Sequence, residues 1–140
     1  MLRSVFLAAA GSARLGRLAT SAPFSKSIAG RFVAGDSADD AVRVGRALAD
    51  DGLATTVEHL GPETVTGEQA AAVRDEYLAL LPRLREAGLT PSAEVSVKLS
   101  ALGQQLDETI AVEHARAICA AAAAAGTTVT LDAEDHTTTD

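Results

Sequence analysis

Three short segments rich in β-branched residues, each preceded by a longer stretch of helical periodicity, restrict this chain to a parallel α/β arrangement. The segments are residues 53–61 (LATTVEHLG), 93–102 (AEVSVKLSAL) and 127–135 (TTVTLDAED). Each starts a few residues after a helical pattern ends, so none can be joined to the next by a hairpin. They must run parallel, with the intervening helices as crossovers. The first of these helices begins near Ser37, a suitable N-cap, with Asp39 and Asp40 in its first turn and Ala41, Val44 and Leu48 on its apolar stripe. It ends at Asp51-Gly52, where glycine suits a left-handed cap. The second opens at Thr66-Gly67-Glu68-Gln69, a capping-box pattern, and turns Val73, Tyr77, Leu80, Leu81 and Leu84 inward. Pro82 is expected to kink it, and Ala87-Gly88 to close it. The third covers roughly residues 109–125, contains six consecutive alanines (Ala120–Ala125) and stops at Gly126.

Three parallel strands leave an open apolar edge that needs further strands. A closed (β/α)₈ barrel takes about 250 residues, and five more strands would bring this chain into that range. The fold expected is therefore a (β/α)₈ TIM barrel, of which the helical N-terminal region and about three strands are present. Residues 36–140 form the first part of the barrel domain and residues 1–35 a separate arm. The final TTTD, without a terminal helix or cap, reads as the end of a fragment.

The arm carries Arg3, Arg14, Arg17, Lys26 and Arg31 and no acid, whereas all nineteen acidic residues of the chain follow it. Leu2, Phe6, Leu7, Leu15 and Leu18 give residues 2–19 a helical spacing. Such a segment suits a helical arm packing on the domain, a peripheral contact with a membrane surface, or a mitochondrial transit peptide if the source is eukaryotic. No stretch approaches the roughly 20 apolar residues of a membrane span. A single cysteine, Cys119, rules out an intrachain disulfide and makes a reducing, cytoplasmic setting the default. The net charge of −7 and an aromatic content of 3% argue against a nucleic-acid partner, which needs a basic face or a stacking platform.

In a parallel barrel the chemistry lies at the C-terminal ends of the strands. That rule selects Glu58 and His59, then Lys98, then Asp132, Glu134, Asp135 and His136. Lys98 interrupts an otherwise apolar strand, where an ammonium group needs an anion. It can bind a substrate carboxylate, form a Schiff base, or keep its head in solvent with its stem along the strand. Asp132 and Glu134 alternate with Leu131 and Ala133 and so share a face. They can orient a substrate amine, or tie the second and third strands together through Lys98. A metal site with His136 as nitrogen ligand is a weaker reading, because no second histidine follows at suitable spacing. His59 is either a site residue or a rim histidine. His114, beside Glu113 and Arg116, is expected on a solvated helix face, and Cys119 in the core.

VSVKLSALG (residues 95–103) and VTLDAED (residues 129–135), with RFVAGDSADDAV (residues 31–42), resemble the proline dehydrogenase family. The resemblance implies a (β/α)₈ barrel that binds FAD, oxidises L-proline to Δ¹-pyrroline-5-carboxylate and passes the electrons to a membrane quinone. It further implies that Lys98 contacts the proline carboxylate and that Asp132 is the acidic residue of the active site. Ala133 is then the position whose backbone approaches the flavin, and Glu134, a further carboxylate of the same motif, a second cofactor-binding residue. The later strands, with most FAD contacts and the family's paired arginines, lie outside this sequence, so these residues alone are expected neither to hold FAD tightly nor to turn over. Two other classes fit the residues less well. One is a Schiff-base aldolase built on Lys98, and the other a non-catalytic binding module that uses the open sheet edge.

Overall fold

The computed structural model describes residues 33–133. The helical spacing of residues 2–19 therefore lies outside the described residues, as do Glu134, Asp135 and His136. From Ser37 onward the order of elements is α1 (Ala38–Asp50), β1 (Thr55–Glu58), α2 (Gly67–Glu86), β2 (Ala93–Lys98), α3 (Glu108–Ala125) and β3 (Val129–Asp132). The strands form one sheet in the order β1-β2-β3. Both pairings are parallel, with Val57 opposite Val95 and Val97 opposite Leu131. This is the α/β crossover arrangement expected from the sequence.

The helix starts are fixed locally. Ser37 caps α1 by accepting from the Asp40 amide, and Asp107 caps α3 by accepting from Thr109. Thr66 and Gln69 form the reciprocal capping box of α2. Gly126 ends α3 at φ +77°, a left-handed conformation that costs a residue with a Cβ about 1–2 kcal/mol. Helix α2 continues through Pro82 to Glu86. The proline is exposed, so the N–H it lacks leaves no bonding gap on the packed side of the helix.

Alternation along β2 separates two environments. Ala93, Val95 and Val97 point to the helices and are fully buried with Tyr77, Leu80, Leu81 and Leu84 of α2 and Ala111, Ile118, Ala122 and Ala125 of α3. Val57 and Val129 extend this layer onto the outer strands. The opposite face is polar. There Glu94 accepts hydrogen bonds from Thr128 Oγ1 at 2.6 Å and from Thr56 and Thr130 Oγ1 at 3.1 Å each, lacing all three strands together. These hydroxyls, Thr128 foremost, hold its carboxyl below the usual range.

The strands are shorter than the sequence patterns suggest. Beyond Lys98 the neighbouring strands have ended, so β2 loses its ladder partners and the chain turns on itself. Ala101 and Leu102 N–H both return to the Lys98 carbonyl. Leu102 then drops into the core, fully buried.

Two helical positions differ from expectation. His114 is 8% exposed, with Nδ1 3.2 Å from the Leu102 carbonyl, rather than on a solvated face. It lies on the same stripe as Ala111, Ile118 and Ala122, which sets its direction. Cys119 is exposed, not core. It follows Ile118 directly and is carried off that stripe by the helical turn.

Candidate active site at the strand ends

The C-terminal ends of the three strands gather the charged residues on the polar face. Lys98 and Asp132 are direct partners across β2 and β3, and Glu58 pairs with Ser96, one alternation before Lys98. All three side chains therefore leave the same side of the sheet. Lys98 Nζ lies 2.7 Å from Glu58 Oε1 and 3.6 Å from Asp132 Oδ2. The Lys98 and Glu58 side chains are 26% and 27% exposed, and Asp132 is more open at 44%. Glu58 Oε1 is shut off from solvent and among the described residues forms no directional hydrogen bond, so the nearby ammonium offsets its burial electrostatically. Among the described residues two carboxylates face one cation, a formal excess of one negative charge.

Beside this cluster opens a cleft of about 300 Å³. One wall is the loop after β1, with His59, Glu63 and Thr64, and the other is the turn after β2, with Ser100, Ala101 and Gln105. Thr64 Oγ1 donates to the Ala101 carbonyl at 3.0 Å, so the two walls are tied to each other. His114 holds the second wall from beneath through Leu102. The cleft is thus framed by loops anchored to the packed layer.

Tyr77 of α2 supplies an anchor that the sequence pattern assigns only to packing. The residue is 2% exposed. Its hydroxyl accepts from His59 N–H at 3.0 Å and donates to the Ser96 carbonyl at 2.7 Å. It joins β1 and β2 where they separate, directly below Glu58 and Lys98. Its ring meets the His59 ring edge to face, with centroids 6.4 Å apart. Burial raises the phenol above its usual pKa, against the lowering effect of the His59 amide. The available signal was that the only tyrosine of the chain sits on a buried helix face, where a hydroxyl must find a partner.

Of the residues selected from sequence, the structure brings Glu58, Lys98 and Asp132 together and sets His59 at the rim of the cleft. Ala133 follows β3 and is exposed. Glu134 and His136 lie outside the described residues. Among the described residues no group of three His, Cys, Asp or Glu side chains is arranged to hold a metal ion. No described helix is long and apolar enough to cross a membrane.

A three-stranded parallel α/β unit with a lysine between two carboxylates at its strand ends defines the class to which known proteins can be compared. The chain belongs to the proline dehydrogenase family, whose model, described as Proline dehydrogenase, matches residues 41–140. It is similar to Proline dehydrogenase 1 of Bacillus subtilis, with 35% identity over 136 residues, covering 97% of this chain and 44% of that protein. It is also similar to the Proline dehydrogenase of Deinococcus radiodurans, with 36% identity over 116 residues, covering 81% of this chain and 37% of the relative. The chain thus spans less than half the length of these curated relatives. In fold it is similar to the crystal structure of proline utilization A from Bdellovibrio bacteriovorus inactivated by N-propargylglycine. That likeness has a TM-score of 0.72 at 21% identity, over 88% of this chain and 15% of the other.

Proposed function

We propose that these residues form the first part of a (β/α)₈ barrel whose complete form oxidises L-proline to Δ¹-pyrroline-5-carboxylate with FAD. The observation that carries the reading is the placement of Lys98 between Glu58 and Asp132 at the mouth of a cleft. Strand ends are where parallel barrels keep their chemistry. Membership of the proline dehydrogenase family and the identities to named proline dehydrogenases support the choice of substrate. The barrel is supported by three parallel strands that, among the described residues, are covered by helices on one face and polar on the other.

Lys98 is the cation for the proline carboxylate, and Glu58 fixes its direction. Asp132 has the longer contact and the greater exposure, so it can turn toward the amine end of the substrate at little cost. The excess negative charge of the cluster favours an incoming cation, either the substrate ammonium or a basic side chain from elsewhere in the complete enzyme. Ala133 suits the edge of a flavin site, because its small exposed side chain at the end of β3 allows a planar ring to approach; Glu134 is the further carboxylate of that motif. The flavin, when bound, supplies the hydride acceptor. A Schiff-base role for Lys98 is disfavoured by its ion pairs with Glu58 and Asp132, since that role needs an amine free to attack a carbonyl.

The electrons pass to a quinone. The reaction belongs in the cytoplasm or at the inner face of a membrane, with the basic, acid-free residues 1–35 as the peripheral contact. The test is turnover of L-proline by the full-length protein with an artificial quinone as acceptor. Formation of the cyclic imine is the expected result, and a flavin-free protein inert to proline would contradict the reading.

A further inference from the structure

We infer that Tyr77 is a positioning residue for the Glu58–Lys98 pair. The inference rests on the reading of that pair as the substrate-carboxylate site. The Tyr77 hydroxyl sits between two parallel strands at the level where their side chains become functional. It accepts from the amide immediately after Glu58 and donates to the carbonyl two residues before Lys98. The phenol therefore replaces a direct strand-to-strand hydrogen bond by a longer bridge and fixes how far apart β1 and β2 stand at their ends. Glu58 and Lys98 leave the sheet from either side of that bridge, and their 2.7 Å contact depends on its length. Thr64, by contrast, ties the cleft walls above the pair, and His114 supports the second wall from the α3 side. Neither touches the backbone that carries both members.

Tyr77 belongs to the buried core cluster that also holds Leu80, Leu81 and Val95. Tyr77→Phe keeps that packing and removes the bridge alone. With the bridge gone, the His59 amide and the Ser96 carbonyl either pair directly, drawing the strands together, or admit water, letting them part. Both movements alter the Glu58–Lys98 contact.

The experiment uses the full-length protein and reads two quantities. In substrate-free protein, the rate at which trace acetic anhydride acetylates Lys98 is compared among wild type, Tyr77→Phe and Ile118→Val, the last a core change remote from the strand ends. The expected result is a change of roughly three-fold or more in Tyr77→Phe and none in Ile118→Val. In turnover, Tyr77→Phe is expected to raise KM for L-proline about ten-fold while kcat stays within about two-fold, the pattern of lost ground-state binding. A Lys98 acetylation rate in Tyr77→Phe equal to wild type, or one changed equally in Ile118→Val, overturns the positioning role whether or not proline is oxidised. A changed acetylation rate in a protein that does not oxidise proline upholds the role of Tyr77 and overturns the functional reading of the pair.

Discussion

Lys98 Nζ lies 2.7 Å from a Glu58 oxygen that no solvent reaches. The two residues end neighbouring parallel strands, and each is about a quarter exposed. The arrangement makes the lysine more than a solvated rim residue, because its loss strands a carboxylate in a low-dielectric setting.

Lys98→Met should therefore cost stability as well as binding. Leaving a partly buried carboxylate without its counter-charge costs about 1–3 kcal/mol. Urea unfolding should show that loss with an unchanged slope, and Glu58→Gln combined with Lys98→Met should recover a good part of it. In the full-length protein Lys98→Met should also lower kcat/KM for L-proline by roughly 10- to 100-fold, read from steady-state kinetics.

The only tyrosine of this chain, which has no tryptophan, is Tyr77, so phenolate absorbance near 295 nm reports that side chain alone. Its pKa is raised in the folded state above the ordinary 10.0, chiefly by burial. A raised value means that the folded state holds the proton more tightly. The corresponding stability is complete below pH 10 and is lost as pH rises through the folded value. For residues 1–140 the titration should lie above that of free tyrosine, and Tyr77→Phe should flatten the fall of stability with alkali. The same variant should be less stable than wild type at neutral pH by about 1–3 kcal/mol, since the buried Ser96 carbonyl and the part-buried His59 amide lose their partner.

Glu94 predicts the opposite pH dependence. Hydrogen bonds from Thr128, Thr56 and Thr130 hold its pKa below 4.5. The stability they confer is present above pH 4.5 and is lost as pH falls through the lower folded value. Glu94→Gln should accordingly be less sensitive to acid than wild type, measured as the midpoint of acid unfolding.

Cys119 should react with a thiol reagent in the native protein at a rate close to that of an unstructured cysteine peptide, because it is exposed on α3. Protection until unfolding would contradict this orientation of the helix.

That orientation marks where the sequence stops being informative. The caps at Ser37, Thr66 and Gly126 and the β-branched strands are local signals, and local chemistry fixes them. The rotation of α3 is not local. Alanine surrounds much of that helix, so its apolar stripe is faint, and only packing against β2 and α2 turns His114 in and Cys119 out. The site divides in the same way. Alternation along the strands places Lys98 and Asp132 on one face, but the contact with Glu58 depends on the β1–β2 register, which no single segment encodes. Tyr77 reads as core by its spacing, while its hydroxyl bridge becomes visible only once α2 is laid across the parting strands.

The most direct test is anaerobic titration of the full-length protein with L-proline, followed by its visible flavin absorbance, for wild type and for Lys98→Met. The account predicts that wild type bleaches on adding proline and that Lys98→Met reaches half-bleaching only at a concentration higher by about ten-fold or more. Half-bleaching at the same proline concentration in both proteins would remove Lys98 from the substrate site, and a wild-type flavin that ignores proline would overturn the proposed reaction itself.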